Sequence, residues 1–149
     1  MILFLIISFL IHSTFCCLPT QNVEPTTTTT TVAPNPCSAC APIYGNDCTS
    51  SPGYLCISAV DVGISYALGI IASVGFGDAN TCSTVFSCPL GTFSRIKELF
   101  TGAVIPGPSI VIAYCQETGP TAGRWFYGIP PVTTPVEIVS TQCQGILSG

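Results

Sequence analysis

Apolar and polar positions alternate with period two along much of this chain, which is the pattern of half-buried strands. In residues 81–88 the alternation sets Cys82, Thr84, Phe86 and Cys88 on one face, the face expected to be buried. Residues 109–115 (SIVIAYC) are the richest in β-branched side chains. Residues 54–60 and 125–127 give further short strands. Residues 136–143 close the series, with Val136 and Ile138 on one face and Val139 and Cys143 on the other.

Two stretches depart from that rhythm. Phe93, Ile96, Leu99 and Phe100 fall at helical spacing with Gly102 as a stop, so a short helix and a strand are equally compatible there. Residues 64–77 (ISYALGIIASVGFG) are apolar and uncharged, with Gly63, Gly69 and Gly75 six apart. The even interval puts these glycines on one face of a strand, and a buried strand pair is expected. A membrane-active helix is the alternative, but the segment is short for a span and rich in glycine.

The N-terminal part is different. Residues 1–17 open with an almost wholly apolar run, the pattern of a signal peptide cleaved after Cys16 or Cys17. Residues 18–36 hold six consecutive threonines, Thr26 to Thr31, among Pro25, Pro34 and Pro36. Such a tract has nothing to bury and is expected to be a disordered stalk open to O-glycosylation. Residues 37–149 then form one cysteine-rich domain. The expected fold is all-β: a small disulfide-stabilised antiparallel β-sandwich with room for one short helix. It is not an ordinary immunoglobulin domain, because only 27 residues separate Cys115 from Cys143 and Trp125 lies between them.

Composition narrows the function. Past the leader there remain Cys37, Cys40, Cys48, Cys56, Cys82, Cys88, Cys115 and Cys143, an even set that reads as a disulfide framework of an extracellular protein. The chain has three basic residues, Arg95, Lys97 and Arg124, against seven acids, for a net charge of −4. That excludes a nucleic-acid partner and disfavours an anionic membrane surface. The single histidine, His12, falls in the leader, so a mature chain has no Ser-His-Asp or Cys-His arrangement. No catalytic residue, cofactor or metal site is expected, and the chain is not read as an enzyme. Glu98, Glu117 and Glu137 read as solvated surface acids rather than a glycosidase pair. Cys37-Ser-Ala-Cys40 has the spacing of an oxidoreductase motif, but Pro36 and Pro42 flank it and no βαβ pattern surrounds it, so two half-cystines with distant partners are favoured. A four-thiolate zinc site from Cys37, Cys40, Cys82 and Cys88 is set aside, since secreted thiols oxidise.

The order of a Thr/Pro stalk, Cys37-Ser-Ala-Cys40, Cys82, Cys88-Pro89, Cys115, Gly123-Arg-Trp125 and Cys143 resembles the nematode secreted six-cysteine domain of unknown function. That resemblance implies a bridge from Cys37 to Cys82, because the first and third cysteines of the family tend to be absent together. Cys48 and Cys56 depart from its pattern and are expected to form an extra local bridge. The resemblance brings no activity with it.

The expectation for function is a secreted structural or adhesion-like domain that binds an extracellular protein or glycan, without stable membrane insertion. Arg124, Trp125, Phe126 and Tyr127 are its candidate recognition patch, with Trp125 expected in the core. A defence effector or protease inhibitor presenting residues 103–109 (AVIPGPS) is the alternative, and a secreted thiol–disulfide oxidoreductase using Cys37 and Cys40 is the second. Ligand and oligomeric state are not legible in the sequence.

Overall fold

A computed structural model describes residues 35–45, 48 and 53–146; the leader and nearly all of the stalk lie outside the described residues. The elements are β1 (Tyr54–Cys56), α1 (Ala59–Val62), β2 (Ala67–Leu68), β3 (Thr81–Ser87), β4 (Thr92–Glu98), β5 (Val104–Pro106), β6 (Ile110–Gln116), β7 (Trp125–Tyr127) and β8 (Val136–Ile146). All strand pairings are antiparallel, in the order β2-β3-β6-β7-β8-β4-β5, with β1 also on β8. The fold is thus the all-β, disulfide-braced architecture expected.

β8 is the organising strand. One edge carries β4 along most of its length. The other edge is covered piecewise: by β7 at Val136 to Ile138, by a parallel bridge from Tyr44 at Thr141, and by β1 at Gln144 to Ile146. Long β8 therefore belongs to both halves of one continuous sheet, and the halves face each other. Ile96 of β4 shares a buried cluster with Ala113 of β6, Trp125 and Ile138. Phe86 and Val111, paired across β3 and β6, share a second cluster with Cys143 of β8.

Four disulfides brace the fold: Cys37–Cys82, Cys40–Cys115, Cys48–Cys56 and Cys88–Cys143. The first is the pair implied by the resemblance, and the third is the local bridge across eight residues. In β3 Cys82, Thr84 and Phe86 are buried as expected and Val85 and Ser87 are exposed, while Thr81 and Ser83 on the opposite face are buried as well.

One open reading of local structure is decided and two are corrected. The stretch with helical spacing is strand β4, because Ser94 and Ile96 alternate inward while Phe93, Arg95 and Lys97 alternate outward. Among the described residues the one helix is α1, a single turn capped by the Ser58 hydroxyl on the Asp61 amide. Residues 64–77 are not a buried strand pair. Only Ala67–Leu68 is strand, and Gly63, Gly69 and Gly75 adopt φ of 73°, 117° and 62°. That left-handed backbone turns the chain, so the glycines were turn signals and not a packing stripe.

The face assignment in β8 is the third. Ile138 and Cys143 both point inward, although five residues apart. A bulge explains it: Lys97 pairs with Ser140 but Glu98 pairs with Ile138, leaving Val139 as the extra residue. One inserted residue reverses the alternation beyond it.

Candidate recognition surfaces

The segment that leads into the domain is held by side chains of β3, β6 and β7 and by Glu117 and Tyr66, which adjoin β6 and β2. Cys37 and Cys40 bond to β3 and β6. Between them the backbone curls around the Glu117 carboxylate. Oε2 accepts from the Ser38 amide (2.8 Å), the Ser38 hydroxyl (2.6 Å) and the Ala39 amide (2.9 Å), and Oε1 accepts from the Cys40 amide at 3.1 Å. These donors favour the ionised form, and they hold Glu117 down at about 2, the Ser38 hydroxyl contributing most. Further along, the Trp125 indole donates to the Ala41 carbonyl at 2.8 Å. The Tyr66 hydroxyl accepts from the amides of Ile43 (2.9 Å) and Tyr44 (3.2 Å), while its ring lies 5.8 Å from that of Trp125.

The chemistry open to this corner is limited by those bonds. The Cys37 and Cys82 sulfurs and a Glu117 oxygen lie within 4.8 Å of one another, but both sulfurs are spent in one disulfide. Cys37 and Cys40 have different partners, so neither carries a thiol and they do not form a redox pair with each other. The sulfurs of the four-cysteine zinc set are likewise all oxidised.

Arg124, Trp125, Phe126 and Tyr127 do not form one surface. Alternation on β7 turns Trp125 inward, where it is 6% exposed, opposite Cys115 and Ile138. Tyr127 shares that face and packs at the edge of the core. Phe126 points the other way and stacks on Tyr114 at 5.7 Å, and Phe76 meets the Tyr114 ring at 4.7 Å. Arg124 lies over the Phe126 ring, 5.7 Å from its centre, and forms a two-pronged pair with Glu137; its Nε is 2.7 Å from Oε1, and a second contact joins Nη2 to Oε2. Two acids therefore are not free surface groups, contrary to the sequence reading. Glu117 is bound by four donors, and Glu137 is buried beside an arginine that holds it below the usual carboxylate range. A long sequence separation, 79 residues from Ser38 to Glu117, hid the first of these.

What survives of the patch is a strip on the outer face of the sheet: Arg124, Phe126, Tyr114 and Phe76. The segment 103–109 is braced on β4: its centre is strand β5, and the Gly107 amide donates to the Ser94 carbonyl at 2.9 Å.

A second feature is not marked by any sequence motif. Beside the aromatic strip lies an open trough of about 420 Å³ across the start of β6. Ile110 and Ile112 form its floor, and its walls come from Val74, Pro108 and the β7–β8 connection. The signal was present: residues 109–115 are apolar at both odd and even positions, the mark of a strand covered on both faces. Only one face of it meets the core.

Against this geometry, the family model for a Caenorhabditis protein of unknown function, DUF282, matches residues 32–145. The chain belongs to this family. The matched stretch runs from just before Cys37 past Cys143, so it takes in all four bridges of this DUF282 domain. No curated protein and no solved structure matches it. Among the described residues of the DUF282 domain, no helix is long and apolar enough to cross a membrane.

Proposed function

We propose that this DUF282 domain is exported and works outside the cell by contact, as a rigid adhesion-like module for an extracellular protein or glycan, and not as an enzyme. The observation that supports the reading is how the reactive groups are used. Eight cysteines are paired, and Glu117 and Glu137 are engaged in the scaffold. Such cross-linking suits an oxidising compartment, and the apolar first 17 residues supply a route to it. The strip of Arg124, Phe126 and Phe76, laid over the buried Tyr114 ring, has the composition of a contact surface.

The test is expression of the full chain with a C-terminal tag in cultured insect cells. The expected product is in the medium, lacks residues 1–17, has no alkylatable thiol, and binds members of a glycan array or a panel of matrix proteins. Phe126→Thr should weaken that binding without releasing a thiol. Retention in the cell, or free Cys37 and Cys40 in the secreted product, would overturn the reading.

A further inference from the structure

We propose that the trough over β6 is a binding site for a small, uncharged, chain-like apolar molecule, such as a long-chain alcohol, ester or isoprenoid. It lies beyond the aromatic strip and takes a different class of ligand.

The fold covers only half of the outer row of β6. Tyr114 is buried on that face by Phe76 and Phe126, yet Ile112 is only partly covered and Ile110 is 58% exposed. Val85, paired with Ile112 across β3 and β6, extends the same apolar surface. Leaving such a row in water forfeits about 25 cal/mol for each Å² of apolar surface that a ligand would cover.

The trough is built rather than left over. Its outer wall, residues 129–133, is braced on itself: the Thr133 hydroxyl accepts from the Ile129 amide at 2.8 Å and the Thr133 amide donates to the Ile129 carbonyl at 2.9 Å. Gly128 permits the turn into it, with φ of 96° and a virtual Cβ that would lie 2.9 Å from Thr133 Oγ1 and from the Thr134 carbonyl oxygen. A wall that is already ordered costs little to bind against. The volume falls in the range of small-molecule sites, roughly 300–1,000 Å³.

The lining also selects the ligand. No lining residue is charged; of the two that carry a hydroxyl, Tyr127 packs against the core and Thr133 already accepts the Ile129 amide. Nothing in the trough offers a cation to a carboxylate, and the chain's net charge of −4 opposes an anion. An apolar chain with a neutral head fits where a fatty acid does not.

The experiment is titration of the secreted, oxidised protein with the uncharged fluorophore N-phenyl-1-naphthylamine. Saturable enhancement at one probe per chain is expected, reversed by 1-dodecanol and not by dodecanoate. Ile110→Glu and Val132→Asp, at positions 58% and 85% exposed, should each weaken probe binding by about tenfold or more while leaving the circular dichroism spectrum intact. Leu90→Glu, fully exposed and outside the trough, should change it less than about twofold. Absence of saturable uptake, equal displacement by dodecanoate, or equal loss in all three variants would overturn the proposal. So would concentration-dependent dimerisation abolished by Ile110→Glu without probe uptake, which would assign the trough to a second copy. Secretion and thiol state are read separately, so a failure here leaves the extracellular reading standing.

Discussion

The Glu117 carboxylate takes both the hydroxyl and the amide of Ser38 on one oxygen, at 2.6 and 2.8 Å. The end of β6 thereby grips the loop between two half-cystines across 79 residues of sequence. Its folded-state pKa is depressed, so its stabilising effect is full above the ordinary carboxylate value of 4.5 and is lost as pH falls through about 2. Glu117→Gln should lower the melting temperature by a few degrees at pH 7. The gap from wild type should close on acidification between about pH 4.5 and 2. A gap that stays constant over that range would remove the carboxylate from the account.

Tyr66 performs a related task at the edge of the core. Its hydroxyl is the acceptor for the amides of Ile43 and Tyr44, both buried residues. Tyr66→Phe keeps the ring against Trp125 and leaves two amides without that acceptor. A loss of about 1–3 kcal/mol in urea unfolding is expected. Hydrogen exchange should show the amides of Ile43 and Tyr44 losing protection first. Unchanged exchange at those two positions would contradict the geometry.

The bridges should differ in worth. Cys88–Cys143 closes a loop of 55 residues and joins the two halves of the sheet, whereas Cys48–Cys56 spans eight. Loop-closure entropy assigns about 4 kcal/mol to the first and about 2.5 kcal/mol to the second. Paired serine replacements, Cys88→Ser with Cys143→Ser and Cys48→Ser with Cys56→Ser, compared by denaturant midpoint, check the order. A larger loss from the short bridge would mean that native packing, not chain entropy, dominates.

How far the sequence disclosed these features depended on whether the signal was local. Strand β3 was legible because Cys82, Thr84, Phe86 and Cys88 recur at every second position, although Ser83-Thr84 and Val85-Phe86 break a strict polar–apolar alternation. Strand β4 was ambiguous because Phe93, Ile96, Leu99 and Phe100 satisfy a helical period, and only pairing with β8 and β5 decides between the two. The glycines near residues 63–77 were read by interval when their turn chemistry was the stronger cue. The corner at Glu117 was beyond local reading, since its donors lie far away in sequence. The trough was half legible: the doubly apolar β6 announced a second covered face, but not what would cover it.

Val139 supplies the sharpest test of the register. As the extra residue opposite the Lys97–Glu98 step, it lets Ile138 and Cys143 point to the same interior. Deleting Val139 restores strict alternation, so an inward Ile138 forces Cys143 outward and an inward Cys143 forces Ile138 outward. The first outcome separates Cys143 from Cys88; the second takes Ile138 out of the core, at about 2–5 kcal/mol if the burial is lost as in a truncation to alanine. Peptide mapping without reduction should therefore find Cys88 and Cys143 free or mispaired, or else the Cys88–Cys143 bond intact in a clearly destabilised domain. A deletion variant with the native bond and native stability would show that the bulge does not set the faces of β8.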